Sequence, residues 1–251
     1  MAKIPIGLQL YSVRRDCAED LFGTIEKVAK MGYEGVEFAG FHGKAAADIK
    51  KCLDDNGLKC CGSHTGWDTL KDDQFSETVE FHDAIGCDNL IVPWIPEELR
   101  NTPDACRQTA EVLTALTEKC RAVGKRTGFH VHGGDVKPLE GGKSAWYLLG
   151  EGTPSDFILQ WDTANGLQGG SDPVQPLLDF PGRGITTHLK EYDNGKWPVM
   201  GKGAVPWPKV FEACETVAGT TWYIVEHESD AEMTPLEAVE ACLQFLRASG
   251  K

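Results

Sequence analysis

Apolar residues recur along the chain in two alternating rhythms, a helical period of three to four and then a short, almost unbroken run. Residues 19–31 place Leu21, Phe22, Ile25, Val28 and Ala29 on one helical face, Gly32 can end the helix, and Gly35-Val36-Glu37-Phe38 reads as a strand. The same order returns at once. Residues 45–56 lead through Gly57 to Leu58-Lys59-Cys60-Cys61, and residues 73–85 lead through Gly86 to Asn89-Leu90-Ile91-Val92. Thr102 is a predicted N-cap with Pro103 at the first helical position, and Val112, Leu113, Leu116, Cys120 and Val123 form the stripe that precedes Gly124. Thr127-Gly128-Phe129-His130-Val131 is the next predicted strand. A helix over 143–149 precedes Phe157-Ile158-Leu159-Gln160-Trp161, and one over 172–180 precedes Ile185-Thr186-Thr187-His188. Val210, Phe211, Cys214 and Val217 lead through Gly219 to Trp222-Tyr223-Ile224-Val225-Glu226, and Thr234-Pro235 opens a last helix carrying Leu236, Val239, Cys242, Phe245 and Leu246.

With residues 4–9 as the first strand, the pattern predicts eight strands alternating with eight helices. Spread over 251 residues, that is about 31 per unit, the size of a single (β/α)₈ TIM barrel, an α/β fold forming one domain over 1–251. A doubly wound open sheet would want a glycine-rich phosphate loop after an early strand, and neither G-x-G-x-x-G nor a Walker sequence occurs.

Charge narrows the partners. The net charge of -13, from 38 acidic and 25 basic residues, repels phosphate backbones and anionic lipid, so neither nucleic acid nor a membrane surface is an expected partner. The nine cysteines are scattered and form no C-x-x-C pair, as expected of reduced, mostly apolar positions. The opening segment has no apolar core and no run of 18 apolar residues occurs, so a cytoplasmic location is expected; a homo-oligomer is compatible with the sequence.

Active sites of such barrels form where strands end at their C-terminal side. The predicted strand ends here carry Gln9, Glu37, His64, His130 with His132, Asp162, His188 with Lys190, and Glu226 with Glu228. Singly, a strand-end acid is a solvated residue and a lone histidine a hydrogen-bonding one. Together they bring acids and imidazoles to one mouth, a mixed nitrogen and oxygen donor set suited to Mn²⁺, Mg²⁺, Co²⁺ or Zn²⁺.

These segments resemble the xylose isomerase-like sugar phosphate isomerase/epimerase family. Gly128-Phe129-His130-Val131-His132-Gly133-Gly134-Asp135 is similar to its His-x-His-x-x-Glu segment, and Trp161-Asp162-Thr163-Ala164-Asn165 with Gly169-Gly170-Ser171-Asp172-Pro173 to its Asp-Thr and Gly-Gly-x-Asp-Pro segment. Gly182-Arg183, His188-Leu189-Lys190, Gly201-Lys202-Gly203 before Trp207, and the final Val225-Glu226 complete a likeness that spans the chain. The resemblance implies one divalent metal ion held by Asp162, His188 and Glu226, with a fourth ligand from the fifth strand or the loop after it. Asp135 stands where the motif has Glu, one methylene shorter, and His130 occupies the strand end itself, so both stay open as that ligand.

The resemblance further implies a small-molecule sugar as substrate. Isomerising or epimerising a ketose removes a proton next to a carbonyl, and a cation stabilises the charge that develops on oxygen. Glu226 with Asp135 or His130 would supply acid and base, and Lys190 an electrophile, while Glu37, His64, Trp67, His132, Asn165 and Glu228 would contact the sugar. A dehydratase or lyase acting on a keto-sugar, keto-glycoside or keto-inositol begins with the same step and is the alternative. A sugar-binding barrel without activity would have lost its ligand positions, and a three-zinc DNA repair endonuclease would want a further His where Asn165 stands.

Overall fold

A computed structural model describes residues 3–251; Met1 and Ala2, part of the opening segment read above, lie outside them. Eight parallel strands run β1 (Ile6–Gln9), β2 (Gly35–Phe38), β3 (Lys59–His64), β4 (Asn89–Val92), β5 (Arg126–His130), β6 (Ile158–Gln160), β7 (Thr186–Leu189) and β8 (Trp222–Val225). Hydrogen bonding follows the order β6-β5-β4-β3-β2-β1-β8-β7. The two ends meet through a parallel bridge between Asp162 and His188, so the sheet closes into the expected (β/α)₈ barrel.

Between the strands lie α1 (Arg14–Met31), α2 (Ala46–Asp55), α3 (Phe75–Ala84), α4 (Pro103–Ala122), α5 (Ala145–Gly152), α6 (Thr163–Gln168), α7 (Gln175–Asp179) and α8 (Trp207–Thr216), with α9 (Pro235–Ala248) after β8. The longer helices turn an apolar stripe to the sheet: Leu21, Ile25 and Val28 of α1 and Leu113, Leu116 and Cys120 of α4 are buried, whereas Val112 and Val123, counted in the predicted stripe, face solvent because they lie to its side. The predicted starts hold, with Thr102 Oγ1 accepting from Ala105 N at 3.1 Å and Thr234 forming a capping box with Glu237. The pattern predicts eight helices where nine form among the described residues, because α6 is a short extra helix started by Asp162. No helix among the described residues is long and apolar enough to cross a membrane.

All nine cysteines are free, seven of them buried, as their apolar spacing predicted. Inside the barrel the strands come very close. A Cβ on Gly128 of β5 would lie 2.3 Å from the Ile158 carbonyl oxygen of β6, an atom the sheet cannot move. Gly128→Ala is therefore expected to destabilise the fold by about 1–3 kcal/mol, read from the urea midpoint at unchanged slope.

Candidate active site

Strand alternation and strand ends assemble the site. His130 ends β5, Gln160 ends β6 with Asp162 two residues on, His188 and Lys190 share one face of β7, and Glu226 follows β8. These side chains project into the barrel at its C-terminal end, and all are at least nine-tenths buried. One donor atom from each of His130, Asp162, His188 and Glu226 lies within 4.8 Å of the others.

The hydrogen bonds determine which atoms face that space. The Gln160 amide nitrogen donates to Glu37 Oε2 and to Thr186 Oγ1, both at 2.8 Å, so its oxygen accepts, from His64 Nε2 at 2.9 Å and His130 Nδ1 at 3.0 Å. His130 thereby carries its proton on Nδ1 and keeps a lone pair on Nε2. Burial, reinforced by His188 and His64, pushes its pKa well below the usual histidine range, so the ring is neutral. Glu37 lies beneath and accepts from Gln9 Nε2 at 2.7 Å, Gln160 Nε2, and His188 Nε2 at 2.7 Å. His188 therefore turns Nδ1 to Glu226 Oε2, 2.6 Å away, with Asp162 Oδ2 at 4.0 Å. Burial would lower the His188 pKa, but the field of Glu37 and the hydrogen bonds His188 donates to both glutamates outweigh it and hold it at about 10.

Asp162 is the group least provided for. Its Oδ1 caps α6 by accepting from Asn165 N at 2.7 Å, while Oδ2 is buried with no hydrogen-bond partner. Burial pushes its pKa up to about 6 against the pull of Lys190. An unpartnered carboxylate oxygen in such a place is costly unless a cation meets it. The donor set of two imidazole nitrogens and two carboxylates fits a divalent metal, and Glu37 would act as the outer carboxylate that orients His188.

Lys190 closes one side. Its ammonium reaches Glu226 Oε1 at 3.2 Å and pairs with Glu228. Burial disfavours its charge, but Glu226, Asp162 and Glu228 more than compensate and hold its pKa well above the usual lysine value. Burial also opposes ionisation of Glu226, yet Lys190 and His188 hold its carboxyl well below the ordinary range.

Several residues sit elsewhere than the sequence placed them. Asp135 is fully buried but turned away from the four donors: one oxygen pairs with Arg100 and the other accepts from His132 N at 2.7 Å, so a short acid in this loop braces it instead of reaching the cluster. Glu37 is fully buried beneath the mouth, where its oxygens accept from Gln9, Gln160 and His188. Trp67 points outward beside Leu70 and Leu116, in a groove against α4, because its segment forms a short 3₁₀ turn leaving the mouth. The amides of Gly201 and Val205, in the loop that leads to Trp207, donate to the buried Glu191 carboxylate at 2.8 and 3.0 Å. His64 is retained at the mouth, stacked on His188 at 5.5 Å, and His132 stands exposed beside His130 at 5.0 Å. Asn165 is held against Val131 O at 2.9 Å, and Glu228 is partly exposed at Lys190. Gln160 and Arg100 went unnoticed. Gln160 had a readable signal, being two residues before Asp162 and so on the same face; Arg100 had none.

The barrel is shared with known proteins. A curated inosose dehydratase of Geobacillus kaustophilus is 23% identical over 249 residues, covering 82% of this chain and 80% of its own. A solved sugar phosphate isomerase/epimerase from Parabacteroides distasonis superposes with a TM-score of 0.82 at 23% identity, over 99% of this chain and 95% of that one. A solved IOLI protein with a bound zinc atom gives 0.76 at 13% identity, over 98% and 97%. Residues 25–249 match the family profile as well, and the chain belongs to the xylose isomerase-like TIM barrel family.

Proposed function

We propose that this chain is a metal-dependent enzyme that removes a proton from the carbon next to the carbonyl of a polyhydroxylated ketone, a keto-sugar or keto-cyclitol, and returns it as an isomerase or epimerase. The observation that carries this reading is the buried group of His130, Asp162, His188 and Glu226 with its unpartnered Asp162 oxygen, set beside a charged lysine. The zinc atom in the similar IOLI structure supports a metal in this barrel. A divalent ion held by these four would stabilise negative charge developing on the substrate oxygens. Glu226, ionised and buried, accepts the proton; Lys190, kept as ammonium, donates to oxygen as charge forms there; His64 and His132 at the mouth orient hydroxyl groups.

Dehydration is the second reading, and one feature of the site favours it. Epimerisation wants acid–base groups on both faces of the carbon, whereas the fifth strand supplies His130, a neutral imidazole placed as a ligand. In dehydration the carbon proton passes to Glu226 and the neighbouring hydroxyl leaves as water with a proton from Lys190. The inosose dehydratase named above is consistent with this course. Incubating a panel of ketoses and keto-cyclitols with protein and Mn²⁺ or Zn²⁺ in D₂O tests both: deuterium in recovered ketone or isomer supports the first, elimination alone replaces it with the second, and neither product overturns both.

Metal binding is tested without turnover. Titrating chelator-treated protein by calorimetry should find near one ion per chain, with Asp162→Asn and His130→Ala each weakening it by at least about 10–100-fold. Asp135→Asn should leave the affinity unchanged, and no ion in the wild type would sink the reading.

A further inference from the structure

We propose that the opposite, N-terminal end of the barrel holds a second small-molecule site, one that takes a monophosphorylated sugar or polyol. A cavity of about 600 Å³ opens there among the first residues of β3, β4, β5 and β8. Three of its features each ask for a different part of such a ligand.

The first is charge. Lys59 and Arg126, the opening residues of β3 and β5, both line the cavity and are exposed. The acids beside them are already engaged: Asp54 pairs with Lys50, and Asp88 with Lys125 at 3.0 Å. No carboxylate among the described residues lies within ion-pair distance of Lys59 or Arg126, in a protein with a net charge of -13. Two unpaired cations at one rim suit a phosphate group.

The second feature is an unsatisfied acceptor. Asn89, only 8% exposed, lines the cavity and donates from Nδ2 to Cys61 O at 2.9 Å, and its Oδ1 is buried without a partner. A small shift of this side chain toward the cavity would let a ligand hydroxyl satisfy it. The third is Trp222, partly exposed at the start of β8, whose ring packs over Gly35 so closely that a Cβ there would lie 2.9 Å from it. This fixed indole offers an apolar surface for the C–H face of a sugar ring.

Inorganic phosphate answers only the first feature and a neutral sugar only the other two; a sugar phosphate answers all three. Trp222 and Glu226 are four residues apart along β8, about 13 Å, so the occupant would not touch the metal-ligand cluster. The site stands independently of the activity proposed above.

Isothermal titration with glucose 6-phosphate, inorganic phosphate and glucose separates the outcomes. Glucose 6-phosphate should bind the wild type more tightly than either other probe. Lys59→Met and Arg126→Met, both at exposed positions, should each weaken it about tenfold with an unchanged circular dichroism spectrum, and Glu226→Gln should bind it as the wild type does. Equal affinity for inorganic phosphate, loss of binding in Glu226→Gln but not in the cavity variants, or no heat from any probe would overturn the proposal.

Discussion

Glu226→Gln is expected to reduce deuterium incorporation next to the carbonyl by about 10²–10⁴-fold, the range a positioned general base contributes. The substitution keeps shape and volume while removing the negative charge. In the wild type one carboxylate oxygen lies 2.6 Å from His188 Nδ1 and the other 3.2 Å from Lys190 Nζ. An amide can accept from only one of them and leaves the second facing an N–H donor. Exchange rates measured by NMR at saturating cation distinguish loss of the base from loss of the metal. An unaltered rate in the variant would remove Glu226 from the chemistry and with it the reading of the site.

Arg100→Met is expected to cost about 3–5 kcal/mol of stability, the penalty for leaving a buried charge without its partner. Asp135 has no solvent exposure and Arg100 little, so the pair is screened weakly. Burial pushes the Asp135 carboxyl upward and Arg100 opposes that shift. With Arg100 gone, the folded-state pKa rises further above the unfolded value, so the folded variant gains stability by binding a proton as pH falls. Its deficit relative to the wild type should therefore be larger at about pH 8 than at about pH 5. Urea unfolding at the two values measures this, and a deficit independent of pH would show that Asp135 does not need its partner. The loop from β5 to α5 depends on the same pair, since Asp135 also accepts from the backbone of His132 and donates its own N–H to His132 O at 2.9 Å.

Within the candidate site, what was readable from the residues was what strand geometry dictates locally. His130, Asp162, His188, Lys190 and Glu226 all stand at strand ends, and a two-residue period puts His188 with Lys190 and Gln160 with Asp162 on common faces. Asp135 illustrates the limit. It lies in a loop, where no period assigns a direction, and its partner Arg100 comes from a different loop 35 residues earlier. Trp67 misled for the same reason, its turn carrying it outward to α4.

By itself the sequence determined the succession of strands and helices apart from α6, the glycine stops, the caps at Thr102 and Thr234, and the group of strand ends that meet at one mouth. Those follow from period and local hydrogen bonding, which act over a few residues. Only the closed barrel decided the roles within that group. Glu37 and His188 are 151 residues apart, yet they share a hydrogen bond of 2.7 Å that turns the His188 Nδ1 toward the cluster. Gln160, 123 residues from Glu37, fixes the proton on His130 in the same way. Which atom donates and which keeps a lone pair depends on neighbours that only barrel closure brings within hydrogen-bond range.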